Sequence, residues 1–502
     1  MTGEASNNLI LATWVLIALY AGIILFFVIR GALKIKNISD YAVGSINFSP
    51  FTVGLSLAAS MTSAATFIIN PGFIAYYGIS AVISFAFVLP VASLLSLVFL
   101  TKKFRTHGKS VKALTLAQWM GTKYDSKFYS FIFGVLSLLL ITFIVLIAVG
   151  ITKVLANALS VPEINVLIVF VVFVFGYMMF GGANSMVYTN TIQALIMIVV
   201  AFILLTSGYD KLSNGLTGFF NDLFKIDPNL TKTYNKTSFL FRDFYEIFIS
   251  QAVIGIAIVC QPHIITKSLL LKEEKDVNKY LITGITVQML FFLVVIAGLY
   301  ARLTFPDLTI NGKAIGLDSV ISTYVVTKFP VYVTLILILG LISAGISTLE
   351  GLIQSVSTTI TQDLIKPISE FLKVQKNFNN ILINRIVITL LAFITIFLSY
   401  EQMTNPKLSV GIFAQNGVYA YFSAAFVPIL FGMFLKNVRK HVVLIGSISA
   451  IATHFLMYYG KIKIPFSIAT GENPGVAASA AIIISVVIAI SLYFSTKRGE
   501  NV

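Results

Sequence analysis

Thirteen apolar runs, most of them near or above 20 residues, account for most of this chain. A helix needs about 20 consecutive apolar residues to cross the hydrocarbon core of a bilayer. The runs lie near 9–30, 50–77, 79–100, 127–157, 163–181, 186–208, 245–267, 279–301, 329–361, 382–400, 408–435, 440–460 and 474–495. Backbone polar groups in lipid must be satisfied within the chain, so continuous runs of this length read as helices. Composition agrees. Apolar residues make up 57% and charged residues 11%, against roughly 25% charged in soluble proteins. A water-soluble fold of this composition would expose apolar patches that it could not cover. The first run lacks a basic leader and is long enough to span, so it reads as a span and not as a cleavable signal.

The formal net charge of +15 has a topological meaning. Most of the 35 Lys and Arg fall on alternate hydrophilic segments, with clusters at 30–36, 102–127, 267–279, 366–385, 436–440 and 497–498. Basic loops face the cytoplasm. The pattern therefore predicts an outside N-terminus and a cytoplasmic C-terminus, in the cell (plasma or inner) membrane. It gives no reason to expect nucleic acid. The lone Cys260 excludes an intramolecular disulfide, and His107, His263, His441 and His454 are scattered. The hydrophilic stretches 101–127, 209–244 and 362–382 are too short for a soluble domain. Residues 1–502 are expected to form a single transmembrane domain.

Polar residues inside apolar runs are costly and therefore informative. The second run carries Ser60, Thr62, Ser63 and Thr66 ahead of Pro71-Gly72. Small and hydroxylic residues before Pro-Gly suit a broken helix near 66–72, whose freed carbonyls and half-helix ends bind ions. The same residues also suit close helix packing. In the ninth run Ser343, Ser347, Glu350, Gln354 and Thr358 form one stripe at helical spacing, flanked by Ala344, Thr348, Gly351 and Ser355. Such a stripe suits an aqueous or ion path, and Glu350 is its most expensive member. A hydrogen-bonded structural glutamate is the alternative. In the seventh run Gln261-Pro262-His263 interrupts an apolar helix. His263 suits a ligand contact, a proton carrier or a structural hydrogen bond. Five spans separate the two breaks, the pattern of two inverted five-helix repeats with paired discontinuous helices. The repeats are expected at about 50–208 and 245–435, with peripheral spans at 440–495.

Over roughly residues 10–460 the chain resembles the sodium:solute symporter family. The segment SAATFIINPGFIAYYG is similar to the first core helix of its pantothenate and monocarboxylate branches. GGANSMVYTNTIQ, CQPHIITKSLLLKEEKD, AGISTLEGLIQSVSTTITQDLIK and AAFVPILFGMFLK resemble four further family runs, in the family's order. The resemblance implies thirteen spans and an all-α, leucine-transporter-like core of five plus five helices. It also implies a sodium ion between the first and eighth core helices. The ligands carried over are carbonyls of Ala59, Thr62 and Ala344 and hydroxyls of Ser347 and Thr348. Five neutral oxygens suit a monovalent cation that must be released again.

Asn190 stands where the family motif often has an Asp that serves a second sodium ion in some members. One sodium is therefore expected, with Asn190 and Glu350 as candidate ion-coupling residues. The solute is expected at the midplane, beside Ser63, Thr66 and Phe67 on the first core helix and Gln261 and His263 on the sixth. Gln415 and Tyr419 on the tenth are further candidates. Lys153 suits either a solute carboxylate or a snorkelling position at the outer end of its span.

The implied function is sodium-coupled import of a small organic solute, a monocarboxylate or pantothenate-like acid. A proline-like amino acid or a sugar is the alternative, and a solute sensor on the same fold is the rival from another class. No cluster of nucleophile, histidine and acid points to an enzyme. The expected partners are sodium, the solute and the bilayer, with the chain acting as a monomer.

Overall fold

The computed structural model describes residues 7–111, 113–271, 273–373, 379–405, 409–465 and 467–498. Lys112, Lys272 and Lys376, counted above among the basic loop residues, lie outside these. The fold is built of helices: α1 (Asn7–Ala32), α2 (Pro50–Met61), α3 (Ala65–Tyr77), α4 (Ile79–Arg105), α5 (Lys127–Leu159) and α6 (Glu163–Thr206), followed by α7 (Tyr245–Ile258), α8 (Pro262–Leu270), α9 (Glu274–Thr304), α10 (Val331–Phe371), α11 (Asn380–Thr404), α12 (Val410–Phe434), α13 (Lys440–Gly460) and α14 (Pro474–Thr496). Among the described residues ten helices are long and apolar enough to cross a membrane, or up to twelve if each bent pair is one span. Large apolar side chains such as Leu11, Phe99, Phe202, Phe393 and Phe494 remain exposed on the outside of the bundle, as lipid-facing positions should.

That count is below the thirteen runs of the sequence, and α6 holds the difference. Its 44 residues would extend about 66 Å at 1.5 Å per residue, twice the ~30 Å hydrocarbon core. The helix is interrupted at Gly182, where φ is 66° and ψ −168°. A Cβ there would meet the Tyr41 ring at 2.8 Å and the Tyr41 carbonyl oxygen at 2.9 Å. Only glycine combines that positive φ with that close approach.

The two halves repeat one design. α2 and α3 meet at a 54° bend and α7 and α8 at a 56° bend. Pairing is reciprocal: α2 packs along α9 while α7 packs along α4. Each half thus lends its broken helix to the second helix of the other, as inverted repeats related by a two-fold axis must. α6 lies between α1 and α10, and α13 and α14 pair at the periphery.

The first bend is not at 66–72, as Pro71-Gly72 suggests, but at Thr62–Ala64. Thr62 is extended (φ −103°, ψ 100°), and Ser63 Oγ accepts the Ala65 N–H at 3.1 Å to start α3. Pro71 sits inside α3, directly after a widened turn at Ala65–Ile69. The missing N–H of Pro71 is tolerated there because the turn has already shifted the hydrogen-bond register. Gly72 serves an approach instead: a Cβ on it would lie 2.1 Å from the Leu317 carbonyl oxygen of the α9–α10 connection. The second bend matches the sequence, with Gln261 extended (φ −69°, ψ 137°) and Pro262 the first residue of α8.

Candidate functional site

The bend in α2–α3 leaves carbonyls without helical partners, and α10 answers them. Ser347 Oγ lies 2.8 Å from Ala59 O and 3.1 Å from Ala344 O. Thr348 Oγ1 lies 3.1 Å from Ser60 O and 3.3 Å from Thr62 O. Ala59, Thr62, Ala344, Ser347 and Thr348 are all buried. The residues carried over from the resemblance therefore meet between α2 and α10 in two adjoining groups, Ser347 Oγ with the Ala59 and Ala344 carbonyls and Thr348 Oγ1 with that of Thr62, and the Ser60 carbonyl, which the sequence did not single out, lies against Thr348 as well. Neighbouring oxygens about 3 Å apart are what a cation held at roughly 2.3–2.6 Å requires. The set contains no carboxylate, which suits a monovalent ion. Thr62 Oγ1 is held away from the cluster by Gln288 Oε1, at 3.0 Å.

A cavity of about 100 Å³ lies beside this cluster. Ser63 and Thr66 line it from the α2–α3 bend, Gln261 and His263 from the α7–α8 bend, and Gln415 and Tyr419 from α12. Phe67 lies behind the wall, its ring 5.6 Å from that of Phe291. Ile69, Phe85, Leu89, Phe143, Leu146 and Phe292 supply apolar surface, and among the described residues no Asp, Glu, Lys or Arg lines the cavity. Gln261 Oε1 and His263 Nδ1 are buried without a hydrogen-bond partner. Buried polar atoms left unpaired cost roughly 1–3 kcal/mol each, so two of them at one cavity wall fit a recognition surface.

The remaining candidates lie around this centre. Lys153 is not in the cavity; its Nζ is 3.8 Å from Asp318 Oδ2, which also accepts the Val410 N–H at 3.1 Å. Along the α10 stripe, Ser343 Oγ meets Tyr20 OH at 3.1 Å. Glu350 accepts from Tyr177 OH at 2.6 Å and Thr189 Oγ1 at 2.7 Å, so it is a turn away from the five-oxygen cluster and not part of it. Gln354 donates to the Tyr41 and Ala42 carbonyls. Thr358 and Gln354 share a second, smaller cavity with His263, Thr266 and Lys267.

Charge counting places Lys267 and Arg105 on the cytoplasmic loops, and here the structure corrects the reading. Both are buried. Lys267 Nζ donates to Ser56 O at 2.9 Å and to Ser60 Oγ; Arg105 Nη1 donates to Ser268 O at 2.5 Å. Freed carbonyls near broken helices offer a cation acceptors, so a basic residue close to the bend folds inward. Asp363, which the sequence reading passed over, is buried too and accepts from Thr115 and Ser130, each at 2.7 Å.

A family model for the sodium:solute symporter family matches residues 41–449. The chain belongs to this family. It is 26% identical over 435 residues to the sodium/pantothenate symporter of Haemophilus influenzae, covering 85% of this chain and 86% of that one. It is 23% identical over 450 residues to a sodium/proline symporter of Staphylococcus aureus, covering 87% and 84%. Its fold is similar to that of a substrate-bound, outward-open Na+-coupled sialic acid symporter, with a TM-score of 0.72, 17% identity and 96% and 98% coverage. The symporter is thus an all-α, multi-span membrane protein with the leucine-transporter-like fold, a transporter by family and by its relatives.

Proposed function

We propose that this symporter couples sodium entry to import of a small organic acid, a monocarboxylate or pantothenate-like molecule, bound in the cavity between the two bends. The observation that carries the proposal is the adjacency of two unlike sites. Five neutral oxygens from Ala59, Thr62, Ala344, Ser347 and Thr348 meet in two adjoining groups beside a cavity whose wall holds unpaired Gln261 and His263 atoms. Sodium between α2 and α10 ties the α2–α3 bend in place, and Ser63 and Thr66 of that bend line the cavity. Solute affinity and sodium occupancy thereby share a structural element, which is what coupling requires. The start of α3, a positive dipole end, supplies attraction for a carboxylate in a cavity that no charged side chain lines among the described residues. The apolar wall suits the body of such an acid.

The proposed topology divides α6 at Gly182, giving thirteen spans with the N-terminus outside and the C-terminus cytoplasmic, in the plasma membrane. Residues 1–502 form one transporter domain in this reading, with core repeats at about 50–208 and 245–435, acting as a monomer. The test is uptake into liposomes by purified protein, with pantothenate, short monocarboxylates, proline and sugars as radiolabelled probes. Accumulation of an acid under an inward sodium gradient, and not under an equal potassium gradient, is expected. Equal uptake in potassium overturns sodium coupling, and uptake of proline but no acid replaces the substrate class with the amino-acid alternative. Binding without uptake supports a sensor on the same fold.

A further inference from the structure

The resemblance implies a second sodium place in some relatives, at the position of Asn190, and in this chain that place is next to a fixed cation. Lys267 Nζ has three acceptors: Ser56 O at 2.9 Å, Ser60 Oγ, and the Asn190 amide oxygen at 2.9 Å. Three acceptors match the three protons of an ammonium group. The Asn190 orientation follows from its neighbours. With its oxygen toward Lys267, its nitrogen donates to Glu350 Oε2 at 2.9 Å and to Gln193 Oε1 at 3.0 Å; the reverse would set an amide N–H against the ammonium. Glu350 thus faces Lys267 through one amide, and both are buried. Removing one of two buried opposite charges leaves the other uncompensated, which is costly. The site joins four elements: Ser56 and Ser60 are on α2, Asn190 on α6, Lys267 on α8 and Glu350 on α10.

We propose that the Lys267 ammonium is a resident cation that fills the second ion place and neutralises Glu350, so that this chain carries one sodium per cycle. The proposal rests on the sodium reading above and adds what limits the number of ions. Removing the ammonium leaves Ser56 O, Ser60 Oγ and the Asn190 amide oxygen without their donor, and leaves Glu350, on the far side of that amide, without a counter-charge. Three neutral oxygens with an unneutralised carboxylate one amide away suit a sodium ion.

The experiment is equilibrium binding of radiolabelled sodium to the purified full chain in nanodiscs, with no solute present. One ion per chain is expected for the wild type, two for Lys267→Met, and one again for Lys267→Met combined with Glu350→Gln. Two ions on the wild type, or one on Lys267→Met, overturns the resident-cation proposal while leaving sodium coupling intact. No bound sodium on the wild type overturns both. If Lys267→Met does not yield monodisperse protein, the wild-type count decides: one ion supports the proposal and two overturn it.

Discussion

Ser347 and Thr348 differ from their neighbours in where their hydroxyls go. Ser355, Ser357 and Thr359, further along α10, bond back to carbonyls of their own helix at 2.7–3.3 Å, the usual resort of a hydroxyl in an apolar helix. Thr348 reaches across to α2 instead, and Ser347 reaches across to Ala59 O in addition to its bond back to Ala344 O. Removing both hydroxyls should raise the sodium concentration for half-maximal uptake by about tenfold or more, since a hydrogen-bond-like contact to a charge is worth roughly 1.5–3 kcal/mol. Sodium activation curves of the Ser347→Ala/Thr348→Ala double variant measure this, and an unchanged midpoint removes these residues from the ion site. At the cavity wall, Gln261→Ala should raise the solute concentration for half-maximal uptake by about five- to thirtyfold, for about 1–2 kcal/mol of lost hydrogen bonding. Its maximal rate should change less, and a lowered rate at unchanged half-saturation contradicts a binding role. All three residues were legible in the sequence as polar residues in apolar runs. The inward turn of Lys267 was not, because a lysine at a span end reads as a loop residue until its acceptors are in place.

At the scale of elements, the two bends of 54° and 56° make visible in space a repeat that shows in the sequence only as paired interruptions. Pro71-Gly72 looked like the break, yet its work is different: Gly72 lets the Leu317 carbonyl lie against α3. Gly72→Ala should lower the thermal midpoint of the purified protein, because overpacking a closed contact costs about 1–3 kcal/mol. Gly22→Ala is the control; a Cβ at Gly22 on α1 meets nothing within 4 Å, and alanine is the better helix former there. Equal behaviour of the two variants in thermal unfolding would contradict the tight approach of the α9–α10 connection. That connection also holds Asp318 between Lys153 and the start of α12, and its Ile315 carbonyl accepts from Tyr76 OH at 2.7 Å. One loop therefore ties α3, α5 and α12 together.

For the whole molecule the net charge moved per cycle is the most telling quantity. A monoanion with one sodium crosses without net charge, so its uptake should not respond to a potassium-diffusion potential across the liposome membrane. A zwitterion such as proline with one sodium moves one charge, worth about 2.3 kcal/mol per 100 mV, and its uptake should rise when the interior is negative. Uptake of an acid that rises in the same way would show that more than one sodium travels with it. On the side proposed to face the cytoplasm the ties are different: Thr115 and Ser130 both donate to Asp363 on α10, and Arg105 donates to Ser268 after the second bend. Asp363→Asn weakens the first of these ties, and solute release to the liposome interior should then respond more than outside binding does, as efflux and binding assays can separate.

The sequence by itself determined the solvent, the helical class, the paired interruptions and the polar residues that matter, because hydrocarbon admits few polar groups and each one retained in a span stands out. Even the oxygens proposed to hold sodium were reachable by position once the resemblance was in hand. Tertiary structure decided what periodicity cannot carry: that α6 is interrupted at Gly182, that the first break precedes Pro71, that Phe67 lies behind the cavity wall, and that Lys267 joins Asn190 and Glu350. Each of these depends on a partner far away in the chain—Tyr41, Leu317, Phe291 or Ser60—and a linear pattern does not encode which distant carbonyl or ring will fill the space beside a residue.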